Sequence, residues 1–164
     1  MVIQGVSNHA RRSFRSWEEG AQPCVIFEIA SERTWQEDIE AKRELYARLG
    51  VAEYFVFDPE GVYLDPPLQG FRFTARGAYA PLTAAIDGSL TSQQLSLRLL
   101  AEGTMLRLRS DRTGRRVLTR AELAERAERR AKRDRERAAQ EKQRADRLAA
   151  ELARLKAQGT PPEQ

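Results

Sequence analysis

Glu28 lies within Pro23-Cys24-Val25-Ile26-Phe27-Glu28-Ile29-Ala30, a run of strand length that is otherwise nearly all apolar. A carboxylate buried among such residues must be paired, protonated or bound to a metal, because an isolated buried charge is costly. Glu28 reads either as a partly exposed edge residue or arginine-paired carboxylate, or as one arm of a site. Two neighbours favour the site. Lys42 falls on the apolar face of the helical segment that follows, where a lysine is equally out of place, and Asp38 lies four residues earlier on that face. A carboxylate, a second acid and a lysine converging at one end of a parallel sheet is the constellation of metal-dependent phosphodiester hydrolysis. Hard oxygen ligands hold Mg²⁺ through one or two carboxylates plus water and phosphate. The metal polarises the phosphate and lowers the pKa of its water. A lysine orients or deprotonates the attacking water and stabilises developing charge. The plainer alternative makes Asp38 and Lys42 an i,i+4 helix ion pair, worth about 0.2–0.5 kcal/mol.

Other chemistry is restricted by composition. The chain has one cysteine, Cys24, and one histidine, His9. A disulfide framework, a multi-cysteine zinc site and a two-histidine metal site are therefore excluded within the chain. Cys24 reads as a small core residue and His9 as a solvated loop residue. Gly61, Gly70 and Gly77 match neither common nucleotide fingerprint. Arg11, Arg12 and Arg15 interleave with Phe14 and Trp17, a pattern able to touch DNA phosphates and bases; a β-hairpin with exposed arginines is the alternative.

The elements that must hold Glu28, Asp38 and Lys42 are legible from pattern. The run 23–30 is a strand covered on both faces. Ser31 to Thr34 is turn-like. Ile39, Lys42, Leu45, Tyr46 and Leu49 share one face of a helix over Asp38–Leu49, and Gly50 stops it. Ala52-Glu53-Tyr54-Phe55-Val56-Phe57 is a second strand, ended by the turn signature Asp58-Pro59-Glu60-Gly61. Strand, helix and strand with short connections form a βαβ unit with parallel strands and a right-handed crossover. Shorter strands are expected at 71–74, 78–82 and 104–109, with Gly77 turning the first pair. Residues 92–100 read as a short helix or as irregular.

Beyond Leu118 the composition changes. Residues 119–157 are rich in Ala, Arg, Glu, Lys, Gln and Leu, all strong helix formers, and contain no aromatic residue, Gly or Pro. Thr119 and Glu122 have capping-box spacing. Ala127, Ala131, Asp134, Ala138, Glu141, Ala145, Leu148, Leu152 and Leu155 follow a 4–3 spacing, so the helix is either solvated and laced by ion pairs or a weak self-associating coiled coil. A nucleic-acid-binding arm is the third reading. Residues from Leu118 onward carry 13 basic and 9 acidic side chains, which is the whole net charge of +4. Three segments are expected: a core over 1–117, a charged helix over 118–158 and a disordered tail over 159–164. No run reaches the roughly 18 apolar residues of a membrane span, and a soluble, cytoplasmic homo-oligomer without membrane association is expected.

The run Trp17-Glu18-Glu19-Gly20, then Pro23 through Ser31, Thr34, Asp38, Lys42, Tyr46, Gly50-Val51, Glu53-Tyr54 and Phe57-Asp58-Pro59 resembles the Uma-type restriction endonucleases of the PD-(D/E)xK nuclease-like superfamily. Tyr63-Leu64-Asp65-Pro66-Pro67-Leu68-Gln69-Gly70-Phe71-Arg72 and the basic helical tail continue it, so the likeness spans nearly the whole chain. The resemblance implies an α/β fold: an incomplete restriction-endonuclease-like core, a mixed sheet with a βαβ unit, plus a long C-terminal helix. It implies Mg²⁺-dependent cleavage of DNA, with Glu28 as metal ligand, Lys42 as the catalytic lysine moved onto the helix, and Asp38 as a supporting acid. Ser31 matches a turn residue. The family's Pro-Asp motif would precede Met1, and Cys24 stands where an aspartate is frequent. The expectation is a start codon assigned too late or a truncated copy with impaired metal binding. A non-catalytic interaction protein associating through its C-terminal helix is the alternative.

Overall fold

A computed structural model of the chain describes residues 1–7 and 12–158. His9, Arg11 and the tail over 159–164 lie outside the described residues. The chain divides into two compact units, Met1–Val117 and Leu118–Gln164.

In the first unit, β1 (Val2–Ile3), β2 (Pro23–Ile29), β3 (Glu53–Phe57), β4 (Leu68–Phe73) and β5 (Tyr79–Pro81) form one sheet in chain order. β2 and β3 are parallel; the other neighbours are antiparallel. All five residues of β3 are buried, because this strand is covered on both faces. Strand alternation divides its side chains. Tyr54 and Val56 join Ile26 and Phe71 in a core under Trp35, Ile39 and Tyr46. Phe55 and Phe57 join Val25 in a core that includes Leu90 and Leu99. Those two leucines belong to a second, antiparallel sheet of β6 (Leu90–Ser92), β7 (Leu97–Glu102) and β8 (Met105–Ser110). The first sheet thus has helices on one face and a smaller sheet on the other. Gly70 is where these layers approach closely: a Cβ there would stand 2.8 Å from the Phe55 ring and 2.9 Å from Leu90 Cδ1.

Three local expectations are corrected. Residues 92–100, read as helical or irregular, contain the end of β6 and the start of β7. Leu97, Leu99 and Ala101 alternate, and Leu99 is fully buried, but so short a pattern does not separate strand from helix. The single helix over 38–49 is two helices, α2 (Trp35–Ile39) and α3 (Ala41–Arg48), parted at Glu40 with φ −104° and ψ −80°. A continuous helix would offer the Asp38 carbonyl to the Lys42 N–H. That carbonyl accepts the Tyr54 hydroxyl at 2.7 Å, a tertiary contact that local pattern does not contain. The hairpin offered around Arg11, Arg12 and Arg15 is not found among the described residues: α1 spans Ser16–Glu19 and precedes β2. Gly50, at φ 70°, lies just beyond α3 as the sequence requires.

The second unit is α4 (Arg120–Gln158). Its start carries the capping box reciprocally: the Glu122 N–H donates to Thr119 Oγ1 at 3.2 Å, and the Thr119 N–H to Glu122 Oε2 at 2.8 Å. The two acids of the heptad seam pair within the helix, Asp134 with Arg130 at 3.9 Å and Glu141 with Arg137 at 3.5 Å. Among the described residues, no helix is long and apolar enough to cross a membrane.

Candidate active site

Strand parity decides where Glu28 points. Within β2, Val25 and Phe27 face the second sheet, whereas Ile26 faces the helical layer. Glu28 shares the parity of Ile26 and lies opposite Val56 of β3, so its side chain enters the helical layer. There α2 and α3 present Asp38, Lys42 and Tyr46, spaced by four residues along the chain. Lys42 Nζ donates to Asp38 Oδ1 at 2.6 Å and stands 3.5 Å from Glu28 Oε2. The Tyr46 hydroxyl donates to Glu28 Oε1 at 2.8 Å. One ammonium therefore joins the two carboxylates, and Tyr46 fixes the orientation of one of them. The three residues proposed from the sequence occupy a single cluster.

Solvent reaches part of this cluster. The side chains of Glu28 and Lys42 are each 24% exposed, whereas that of Asp38 is only 1% exposed. The hydrogen bond to Asp38 holds the Lys42 ammonium above its ordinary range against the opposing effect of burial, and the charge of Glu28 adds to this. Lys42 is thus a cation at neutral pH. Burial, then the bond to Glu28, pushes the Tyr46 phenol up to about 12, so Tyr46 stays a donor. Burial also pushes Tyr54 up, helped by the charges of Asp38 and Glu28.

A divalent ion can be tested against these donors. Among the described residues, no group of three or more His, Cys, Asp or Glu side chains is placed to hold a metal. Two hard oxygen donors are nevertheless present in Glu28 and Asp38, and an Mg²⁺ site of one or two carboxylates completed by water and phosphate needs no more. Asp38 Oδ2 is buried without a hydrogen-bond partner. Such an atom carries an uncompensated desolvation penalty, which a cation would relieve. The donor set fits a Mg²⁺-like ion and not a soft metal.

A cavity of about 370 Å³ adjoins the cluster, and Glu28 and Tyr46 form part of its wall. Phe14, Trp17, Ile26 and Phe27 are among its apolar lining.

The remaining sequence candidates are elsewhere or structural. Cys24 is half-buried and its thiol donates to the Val2 carbonyl at 3.4 Å. Arg15 pairs with Glu18 at 2.8 Å. The Ser31 and Thr34 hydroxyls bond one another at 3.0 Å, closing the turn before α2. Two features were missed as chemistry. Tyr46 counted only as a member of an apolar face, although its spacing of four from Lys42 marks the same stripe as Asp38. Glu53 is the other. Its parity sends it to the opposite face of the sheet, where it accepts from Arg72 Nε and Nη2 at 3.2 and 3.1 Å, Ser92 Oγ at 2.5 Å and the Gln93 N–H at 2.9 Å. A glutamate opening an apolar strand was the available signal. These partners, drawn from both sheets, make it a clasp between them.

Residues 1–106 match the family described as Uma2, putative restriction endonuclease. The match covers well over half of the chain, and the protein belongs to this family. No curated protein matches the chain.

Proposed function

We propose that this member of the Uma2 family hydrolyses DNA phosphodiester bonds with the help of Mg²⁺, at the cluster of Glu28, Asp38 and Lys42. The observation that supports this most is the convergence of two carboxylates on one ammonium, at 2.6 and 3.5 Å, on the helical face of a parallel strand pair. Glu28 and Asp38 are the residues that would hold the ion, and the buried, unpartnered Asp38 Oδ2 supports that assignment. When bound, the ion supplies Lewis-acid polarisation of the phosphate and activation of water. Lys42, a cation in this environment, orients the attacking water and stabilises the charge that grows on the phosphoryl oxygens. Asp38 also steers Lys42, and Tyr46 keeps Glu28 from rotating away.

The test pairs binding with turnover. Calorimetric titration with Mg²⁺ should give a single class of site that Glu28→Gln weakens. Supercoiled plasmid should be nicked by the wild type with Mg²⁺, and not by Lys42→Ala. A wild-type protein that is folded, binds no Mg²⁺ and leaves plasmid intact would rule the proposal out.

One observation favours a second reading, self-association through α4. Leu148, Leu152 and Leu155 are each more than half exposed on the heptad seam. Sedimentation that shifts with concentration in the wild type and not in Leu152→Glu would support it; concentration-independent monomers would dismiss it.

A further inference from the structure

We infer that the cavity beside Glu28 receives an unstacked nucleobase, which makes a single DNA strand, or a duplex with a base turned out, the substrate form; this rests on the nuclease reading of the neighbouring cluster. Trp17 carries the inference. It is 78% exposed, and with Phe14 it forms a wall of the cavity. A large aromatic left in solvent offers a π-face, and every base has one to set against it. The volume, about 370 Å³, lies within the roughly 300–1,000 Å³ of small-ligand sites.

The polar groups suit a nucleotide better than a purely apolar ligand. Ser16 and Gln22 also line the cavity and can bond the donors and acceptors of a base edge. Glu28 and Tyr46 belong at once to the cavity and to the proposed catalytic cluster. An apolar ligand filling the space would strip water from Glu28 without replacing it. A nucleotide seats its ring on Trp17 while its phosphodiester stays toward Lys42. Base pairs stacked in an intact duplex present only their edges, so this wall selects a strand whose base is free.

The experiment is binding by the full-length chain in EDTA, which separates recognition from cleavage. A fluorescein-labelled oligothymidylate strand should bind more tightly than its duplex with oligodeoxyadenylate and should quench tryptophan emission. Trp17→Ala should weaken single-strand binding by about tenfold, the scale of one base–aromatic stack. Trp17→Phe should recover most of the loss, and circular dichroism should show both variants folded. Equal affinity for strand and duplex, or unchanged affinity in Trp17→Ala, would overturn the inference. So would binding of an apolar dye such as ANS in the cavity that the strand does not displace. The two proposals fail separately: plasmid nicking that Trp17→Ala leaves untouched sinks the base site alone, whereas Trp17-dependent strand binding without any Mg²⁺-dependent cleavage sinks the nuclease reading alone.

Discussion

Replacing Lys42 with methionine keeps most of the side-chain volume and removes the ammonium. Two carboxylates are then left sharing the space, Asp38 buried and Glu28 with a quarter of its side chain in solvent. Breaking a fully buried ion pair costs about 3–5 kcal/mol, mainly because the surviving charge is uncompensated. Here water reaches Glu28 and Lys42, so the expected loss is discounted to about 1–3 kcal/mol. For a core unit of this size that corresponds to a fall in melting temperature on the order of 5–10 °C. The surviving pair of carboxylates should also bind cations more readily once no ammonium competes. Saturating Mg²⁺ should therefore raise the melting temperature of Lys42→Met more than that of the wild type, by linkage. Differential scanning calorimetry at neutral pH, with Mg²⁺ and with EDTA, measures both effects. An unchanged melting temperature in EDTA would refute the reasoning, because it would mean that Lys42 neutralises nothing that burial makes costly.

Two further outcomes test the frame around the site. The buried Asp58 carboxylate accepts the backbone N–H groups of Glu60, Gly61, Tyr63 and Leu64, and although burial alone would raise its pKa, these bonds outweigh it and lower it. A carboxyl lowered by folding stabilises the fold above its unfolded pKa and ceases to do so as pH falls through the folded value; urea unfolding should thus show Asp58→Asn less stable than the wild type by about 1–3 kcal/mol at pH 7, with the gap closing below about pH 4. Gly70→Ala should cost about 1–3 kcal/mol by driving a methyl group into Phe55 and Leu90, read as a lower urea midpoint with an unchanged slope.

How much of this was legible in the sequence depended on the range of the interaction. The strand at 23–29 and the buried β3 were announced by continuous apolar runs, and the capping box at Thr119 by spacing alone, because those signals are local. Glu28 was conspicuous as the one charge in its run, and Lys42 as a charge on an apolar face. Their meeting required the parity of β2 and the parallel register with β3 to agree, which a βαβ pattern implies. The break at Glu40 was not legible, since the Asp38 carbonyl is claimed by Tyr54 from sixteen residues away. The strands β6 and β7 were hidden for a similar reason. The buried Ser92 donates its hydroxyl to Glu53, 39 residues earlier, and no short window of sequence holds both. Tyr46 falls between these cases: its spacing was visible, but its role as partner of Glu28 follows only from the packing of α3 on the sheet.

The most direct test of the central claim is the rate of Mg²⁺-dependent plasmid nicking by wild type and Glu28→Gln at equal concentration, with circular dichroism to verify folding. Glutamine keeps the size of Glu28 and an oxygen for the Tyr46 hydroxyl, so the fold should be preserved while the charge that holds the ion is lost. The account predicts nicking by the wild type and a loss of about a hundredfold or more in Glu28→Gln, the scale set by disturbing a metal site. Equal nicking by the two proteins would contradict it.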